Sequence, residues 1–472
     1  MSSSKDSAAT VAVSDVGTNT RKLVNEFRAF VDAYSPARLV VAFSGGADSS
    51  ALLDIACRAV APGVSLSAVH FNHRLQPGCD HWVEHCARFC AARNIPLTVV
   101  DADERPPSKS NLEAWARARR YAAFERFAQT GSYILTAHHR DDQAETVLMR
   151  AFRGSGSYGM SGIARLHPFG EGHLARPFLA IPGDELKAYV RDHNIEVVLD
   201  PSNNDLNFER NKVRRLLLPL LAEHFPNAVN GLTRVAVLQD ELSQFADETL
   251  GLKVQPYAND PRNALPLALL RSEKPAVQAL LIRFWVRSKG FPMPAPRHVN
   301  ELLRSIAEYR GRSSPQVSWR DACIYLFEDK LFLAGRPDLR RQQPCQWLGE
   351  REMQLPTGTL TVTRCKGSGL SIDRFRSASI EIGYRRGGER IQLPGRSHSQ
   401  SLKKLFWEWR VPPWERGLVP LLSIGDELAA VANHAIAKDY VATGEEEGLV
   451  FSWSPHIYKG VSDGSLLTYG AS

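Results

Sequence analysis

The chain has 472 residues, 43% hydrophobic and 23% charged, a length beyond what one hydrophobic core supports and a composition no disordered chain shows, so two to three folded domains are expected. Lys and Arg outnumber Asp and Glu by 58 to 51, a formal charge of +7 that permits a polyanionic partner without requiring one. The longest apolar runs, "LVVAF" and "LLLPLLA", fall short of the ~18–20 residues a membrane span needs, and nothing resembles a secretory leader.

The seven cysteines are odd in number, scattered, and contain no C-x-x-C pair. This spacing points to free thiols in a cytoplasmic protein and argues against a structural zinc or iron–sulfur site. Cys86 and Cys90, one helical turn apart, are expected in a core.

Residues 1–22 are small and polar without a sustained period and are expected to form a flexible tail; Asp6 and Asp15 argue against a transit peptide. From Leu23 the apolar positions Leu23, Phe27, Phe30, Val31 and Tyr34 share one helix face, which Pro36 ends. The runs "LVVAF" (39–43), "LSAVHF" (66–71), "LTVVD" (97–101) and "YILTA" (133–137) then alternate with helical stretches near 47–60, 81–93, 111–129 and 141–152. Strands apolar on both faces and joined by single helices predict a parallel sheet covered on both sides, with ligands beyond the strands' carboxyl ends. That α/β domain is expected over 23–225, a helical domain over 226–338, a linker and β-rich start over 339–379, and a small α+β or β-rich domain over 380–472.

Two motifs carry chemistry. "SGGADS" (44–49) follows the first strand: its glycines let backbone N–H groups approach an anion, and the helix start adds a positive end. The bland alternative is a glycine turn with Ser44 or Asp48 capping a helix. No G-x-x-x-x-G-K-[ST] is present, which excludes a P-loop of the Walker type. "LTAHHRDDQAET" (135–146) follows the fourth strand, and Asp142 and Glu145, three apart, would share a helix face. Here the bland alternative is an acidic first turn complementing the helix dipole.

"SGGADS" resembles the S-G-G-x-D-S signature of the PP-loop ATP pyrophosphatase family, and His138, Asp141, Asp142 and Glu145 fit the H-x-x-D-D-Q-x-E-T string of its tRNA(Ile)-lysidine synthetases. "VHFNHRLQ" (69–76, with Arg74 where glycine is usual), "ARARRY" (116–121), "RGSGSYGMSGI" (153–163), "DPSNNDLNFERNKVRRLLLPLL" (200–221) and the segment 387–422 are similar to further strings of that family. The resemblance implies an enzyme that uses ATP and Mg²⁺ to adenylate the wobble cytidine of the CAU-anticodon isoleucine tRNA and then joins free L-lysine to it. It implies an ATP cradle of Ser44, Gly45, Gly46, Ala47, Asp48 and Ser49, with Asp48 also holding Mg²⁺.

On the same footing Asp48, Asp142 and Glu145 are expected to be catalytic, either Asp142 or Glu145 taking the proton of the lysine amine. Arg117, a protonated His138 and His139 are candidates for binding the lysine. For tRNA the candidates are a basic face of Arg210, Arg214 and Arg215, and Lys403, Lys404 and Arg410 interleaved with Phe406, Trp407, Trp409 and Trp414. Those tryptophans could equally face a core with the charges solvated outside; a homodimer is left open.

Overall fold

The computed structural model describes residues 5–74, 78–103, 112–311, 313–336, 342–375 and 379–460. These divide into two compact units that meet between Glu248 and Thr249. Among the described residues no helix is long and apolar enough to cross a membrane.

In the first unit, strands β1 (Arg38–Ala42), β2 (Ser65–Asn72), β3 (Leu97–Asp101), β4 (Ser132–Leu135), β5 (Leu166–Phe169) and β6 (Gly172–Ala175) form one sheet in the order β3-β2-β1-β4-β6-β5. All pairs are parallel except the edge pair β5–β6. Alternation along β1 shows why the sheet needs cover on both sides. Leu39 and Val41 pack in a core with α1 (Lys5–Tyr34), α2 (Ala47–Ala59), α3 (Cys79–Ala91) and α7 (Gly183–Asp192), whereas Val40 packs in another with α4 (Leu112–Glu125). Helices α5 (Arg140–Phe152) and α6 (Ser157–Met160) precede α7, and α8 (Glu209–Lys212), α9 (Leu218–His224) and α10 (Ala228–Val254) follow it.

Strand order reverses at β1, whose neighbours β2 and β4 run off in opposite directions, so a crevice opens beyond the ends of β1 and β4. Both motifs begin there. The six-stranded sheet and its helices thus bear out the expected α/β fold, with β5 as an antiparallel edge.

Two expectations change. The helix expected from Leu23 begins at Lys5, so the polar stretch up to 22 continues it. Asn19 donates to the Glu185 carbonyl at 3.0 Å and Lys22 pairs with Glu185 at 2.6 Å, tying that stretch to α7. All seven cysteines are free, and Cys86 and Cys90 are buried in the core as expected. Parts of three expected segments, residues 75–77, 104–111 and 337–341, lie outside the described residues.

The second unit begins with β7 (Ala264–Pro266), α11 (Leu267–Arg271), α12 (Pro275–Ser288), α13 (Pro296–Glu308), β8 (Gln316–Trp319), β9 (Ala322–Phe327) and β10 (Lys330–Gly335). It continues into a five-stranded and a four-stranded antiparallel sheet, a two-stranded pair and the short helix α14 (Leu402–Glu408). The second change lies here. Gly358–Lys366 pairs along its whole length with Glu447–Pro455, so the β-rich start expected as part of a linker is the centre of the C-terminal sheet. A strand pairing across 80 residues leaves no local sequence signal.

Candidate functional site

Beyond β1 the chain turns at Gly45, whose φ of +82° suits glycine and where a Cβ would meet Cys86 Sγ at 3.1 Å. Gly46 caps α2 without a side-chain bond. The loop is instead knitted by its serines: Ser44 Oγ and Ser49 Oγ lie 3.0 Å apart, and Ser49 Oγ donates to the Gly46 carbonyl at 3.1 Å. Neither Ser44 nor Asp48 therefore closes the helix as a cap, and the loop's shape is compatible with an anion at the α2 N-terminus.

Asp48 Oδ1 is buried without a hydrogen-bond partner. Burial pushes its carboxyl up from the ordinary range, with His139 pulling the other way. A carboxylate oxygen in that state fits a divalent cation, whose charge reverses the penalty. Among the described residues no group of three or more His, Cys, Asp or Glu could hold a metal by itself. Asp48 therefore suits Mg²⁺, which takes one or two protein carboxylates and completes its shell with phosphates and water.

Beyond β4, His139 caps α5. Its Nδ1 accepts from the Asp141 N–H at 3.3 Å, and Asp142 Oδ2 accepts the His139 N–H at 3.0 Å, a reciprocal cap. With Nδ1 accepting, the ring proton sits on Nε2, which faces Asp142 Oδ2 at 3.4 Å and Asp48 Oδ2 at 3.7 Å. The two motifs meet through this ring. Gly183, at the start of α7, backs it: a Cβ there would lie 2.7 Å from His139 Cε1.

His138 is half-buried beside the same cluster, with Nδ1 2.8 Å from Thr136 Oγ1. Burial, reinforced by Arg176, Arg210 and Arg117, holds its pKa well below the ordinary histidine value. The expected protonated His138 is thus disfavoured, because burial, with the arginines adding to it, outweighs Asp142. Arg117 lies with its guanidinium 4.8 Å from the Tyr121 ring centre.

The largest correction concerns the basic helix. Arg210 donates to Asp142 Oδ1 at 2.8 Å and to Glu145 Oε2 at 2.7 Å; Arg214 donates to Asp142 Oδ1 at 2.7 Å and to Glu145 Oε1 at 2.5 Å. These two arginines, expected to face RNA, bond to the two acids, although Arg214 stays 40% exposed while it does so; Arg215, bonded to Asn204, is exposed as well. A π-helical turn at Val213–Leu217 contains Arg214. Local sequence reads a basic helix as a solvated or RNA-facing surface; its acidic counterpart lies about 65 residues earlier, invisible to any local pattern.

The acids change meaning as well. Burial pushes Asp142 up, but Arg210, the two histidines and Arg214 outweigh it and hold its carboxyl well below the usual carboxylate range. Glu145 is 1% exposed. A carboxylate held that low is a poor proton acceptor, so Asp142 does not stand here as a free base for an amine.

Three side chains not singled out from sequence brace the site's rim. Gln143 exchanges two hydrogen bonds with the Ile163 backbone, Arg150 donates to the carbonyls of Gly159 and Gly162, and Arg176 donates to that of Ala164. They pin the glycine-rich segment 153–164. Gln143 lay inside a quoted motif, whereas Arg176 ends an apolar strand and gave no signal.

In the second unit Lys403 and Lys404 are exposed on α14, while Leu402, Leu405 and Phe406 of the same helix are buried. Trp407 is 73% exposed. Trp409 stacks on His434, and Trp414 stacks on Tyr325 with ring centres 4.1 Å apart. The aromatics expected among the charges therefore split: Trp407 stands out beside the lysines, and the others serve packing. Arg410 is exposed, 3.7 Å from Glu328.

Comparison with known proteins matches three family descriptions along the chain: a PP-loop domain over 19–221, a TilS substrate binding domain over 265–332 and a TilS substrate C-terminal domain over 380–453. The tRNA(Ile)-lysidine synthase of Methylococcus capsulatus is 32% identical over 92% of this chain and all of its own. That of Xanthomonas campestris pv. campestris is 37% identical over 86% of this chain and 93% of its own. Among solved structures, the U34-tRNA thiolase NcsA of Methanococcus maripaludis overlaps 48% of this chain and 80% of its own at 15% identity and a TM-score of 0.41, too little to carry a conclusion. With the Ser44–Ser49 loop and the Asp142–Glu145 acids side by side at one sheet edge, and relatives alike over nearly their whole length, the chain belongs to the tRNA(Ile)-lysidine synthase family.

Proposed function

We propose that this chain joins free L-lysine to C2 of the wobble cytidine of the CAU-anticodon isoleucine tRNA, with ATP cleaved to AMP and pyrophosphate. The observation that carries the reading is the juxtaposition, through His139, of a phosphate-type loop with a fixed negative cluster. Adenylation of the cytidine O2 needs an anion cradle, which Ser44, Gly45, Gly46, Ala47 and Ser49 supply. Asp48 would hold Mg²⁺, whose contribution is to neutralise charge on the departing pyrophosphate.

The second half-reaction brings a cationic amine to the activated C2. Asp142 and Glu145, bonded to Arg210 and Arg214, attract and orient that ammonium; it gives up a proton to water, and the free amine then attacks C2 and expels AMP. Neutral His138 offers a hydrogen bond to the substrate without repelling the cation, and Arg117 would meet the carboxylate of the lysine. Lys403, Lys404, Arg410 and Trp407 serve as an RNA-holding surface on the second unit, the lysines and arginine for phosphates and the tryptophan for a base.

The test is direct. The protein is incubated with the CAU-anticodon isoleucine tRNA, ATP, Mg²⁺ and labelled lysine; lysine incorporation with stoichiometric AMP supports the reading. A folded preparation that incorporates none refutes it.

A further inference from the structure

Arg150 and Arg176 brace the segment from Gly159 to Ala164, and both do so without an acid. Arg150, half-buried in the last turn of α5, donates to the carbonyls of Gly159 and Gly162 at 2.7 and 2.6 Å. Arg176, 2% exposed just past β6, donates to that of Ala164 at 2.7 Å and bonds to the Tyr121 hydroxyl. Among the described residues no carboxylate pairs with either, and the Nε of each is buried with no hydrogen-bond partner.

A guanidinium cannot escape burial by losing its proton, and carbonyl dipoles do not cancel a full charge. The two also crowd each other: burial, with Arg117, Arg176 and Arg153 adding to it, pushes Arg150 down to about 10. If bracing the segment were their whole task, a neutral amide donor would do it without that cost, as Gln143 does for Ile163. Buried cations gathered without a counter-charge fit an anion that arrives with a substrate.

Their place in the fold narrows which anion. Strand β6 pairs with β4, and the Thr136 N–H donates to the Ala175 carbonyl at 3.0 Å, so Arg176 stands at the carboxyl end of β4. There Arg176 and Arg117 both act on the His138 ring. In the reaction proposed above, the phosphates of ATP go to the Ser44–Ser49 loop and the carboxylate of lysine to Arg117. The anion left over is the RNA backbone at the reacting nucleotide. A base that is to be modified has to leave its stack, and it carries its phosphates with it.

We propose that Arg150 and Arg176 hold a phosphodiester adjoining the wobble cytidine, and so fix that nucleotide in the crevice beyond β4. The inference rests on the reaction proposed above. Arginine suits the task, since its planar fork meets two phosphate oxygens at once, and such contacts set the register of a nucleic acid rather than read its sequence.

Filter binding of the full chain tests it, with CAU-anticodon isoleucine tRNA in which the phosphodiester on either side of the wobble cytidine is replaced, one at a time, by an uncharged methylphosphonate. One of the two replacements is expected to weaken wild-type binding about tenfold or more, the worth of one charge-assisted contact, and to leave binding by Arg176→Gln unchanged. Glutamine keeps a donor for the Ala164 carbonyl. With natural tRNA that variant should bind about tenfold more weakly than wild type, with a salt slope lower by about one. Should it not fold, Arg150→Gln carries the same comparison. Wild-type binding indifferent to both replacements, or a variant that loses as much as wild type, overturns the proposal. A raised KM for lysine with unchanged tRNA binding overturns it too and gives the site to the lysine carboxylate; a fall in Tm with both unchanged leaves the arginines as braces only and overturns it likewise. Lysine incorporation by the wild type, run alongside, separates the two readings: incorporation without any response to methylphosphonate sinks this inference alone, and no incorporation sinks the reaction and this inference with it.

Discussion

Replacing Arg210 by methionine separates the inward reading of the basic helix from the RNA-facing one. Arg210 is 25% exposed and spans two acids, Asp142 at 2.8 Å and Glu145 at 2.7 Å, which are 9% and 1% exposed at their side chains. Removing one partner of a buried ion pair costs ~3–5 kcal/mol, because the remaining charges lose their compensation. Arg214 still contacts both acids, so the lower end applies, about 3 kcal/mol. For a unit of this size each kcal/mol moves Tm by roughly 2–4 °C, which gives a fall of about 6–12 °C in a calorimetric scan.

The pH dependence carries a sign. Asp142 is depressed in the folded state, so its contribution is present above its unfolded pKa, near 3.9, and is lost as pH falls through the lower folded value. The wild-type advantage over Arg210→Met should therefore be flat from neutral pH down to about 5 and shrink below about 4. A variant with wild-type Tm and weakened tRNA binding would refute the inward assignment and return Arg210 to the RNA.

Three further outcomes follow from the geometry. Asp48→Ala should remove the Mg²⁺ dependence of nucleotide binding, measured by titration calorimetry with and without the ion; a dependence left intact would place the cation elsewhere. Asp54, buried in α2, accepts from Arg58, Arg93 and Tyr189 and is held below the usual carboxylate range, where these donors outweigh burial. Asp54→Asn should cost about 2 kcal/mol in urea unfolding at neutral pH, with the difference fading as pH falls below about 4. Trp407→Ala should weaken tRNA binding by about 1–3 kcal/mol, the worth of one stacked base, while leaving Tm unchanged because the side chain is 73% exposed; equal affinity in a filter-binding assay would remove it from the RNA surface.

What the sequence determined by itself is local. Continuous apolar runs such as 39–43, separated by single helices, dictate a covered parallel sheet, because both faces of each strand must be buried. "SGGADS" and "HHRDDQAET" were legible because each is continuous and starts where a strand ends, so their residue types and spacing already specify a loop and a helix start. The core placement of Cys86 and Cys90 and the cover over Leu402, Leu405 and Phe406 were open to the same reasoning.

Tertiary structure decided what faces those groups. That Arg210 and Arg214 clamp Asp142 and Glu145, that His139 joins Asp48 to Asp142, that His138 is neutral, and that Gly358–Lys366 pairs with Glu447–Pro455 all depend on chain segments distant in sequence. A charge's role is set by the dielectric and the partners around it, and neither is encoded in its neighbours along the chain. The sequence therefore named the acids of the site, and only the fold showed that two arginines bond to both of them.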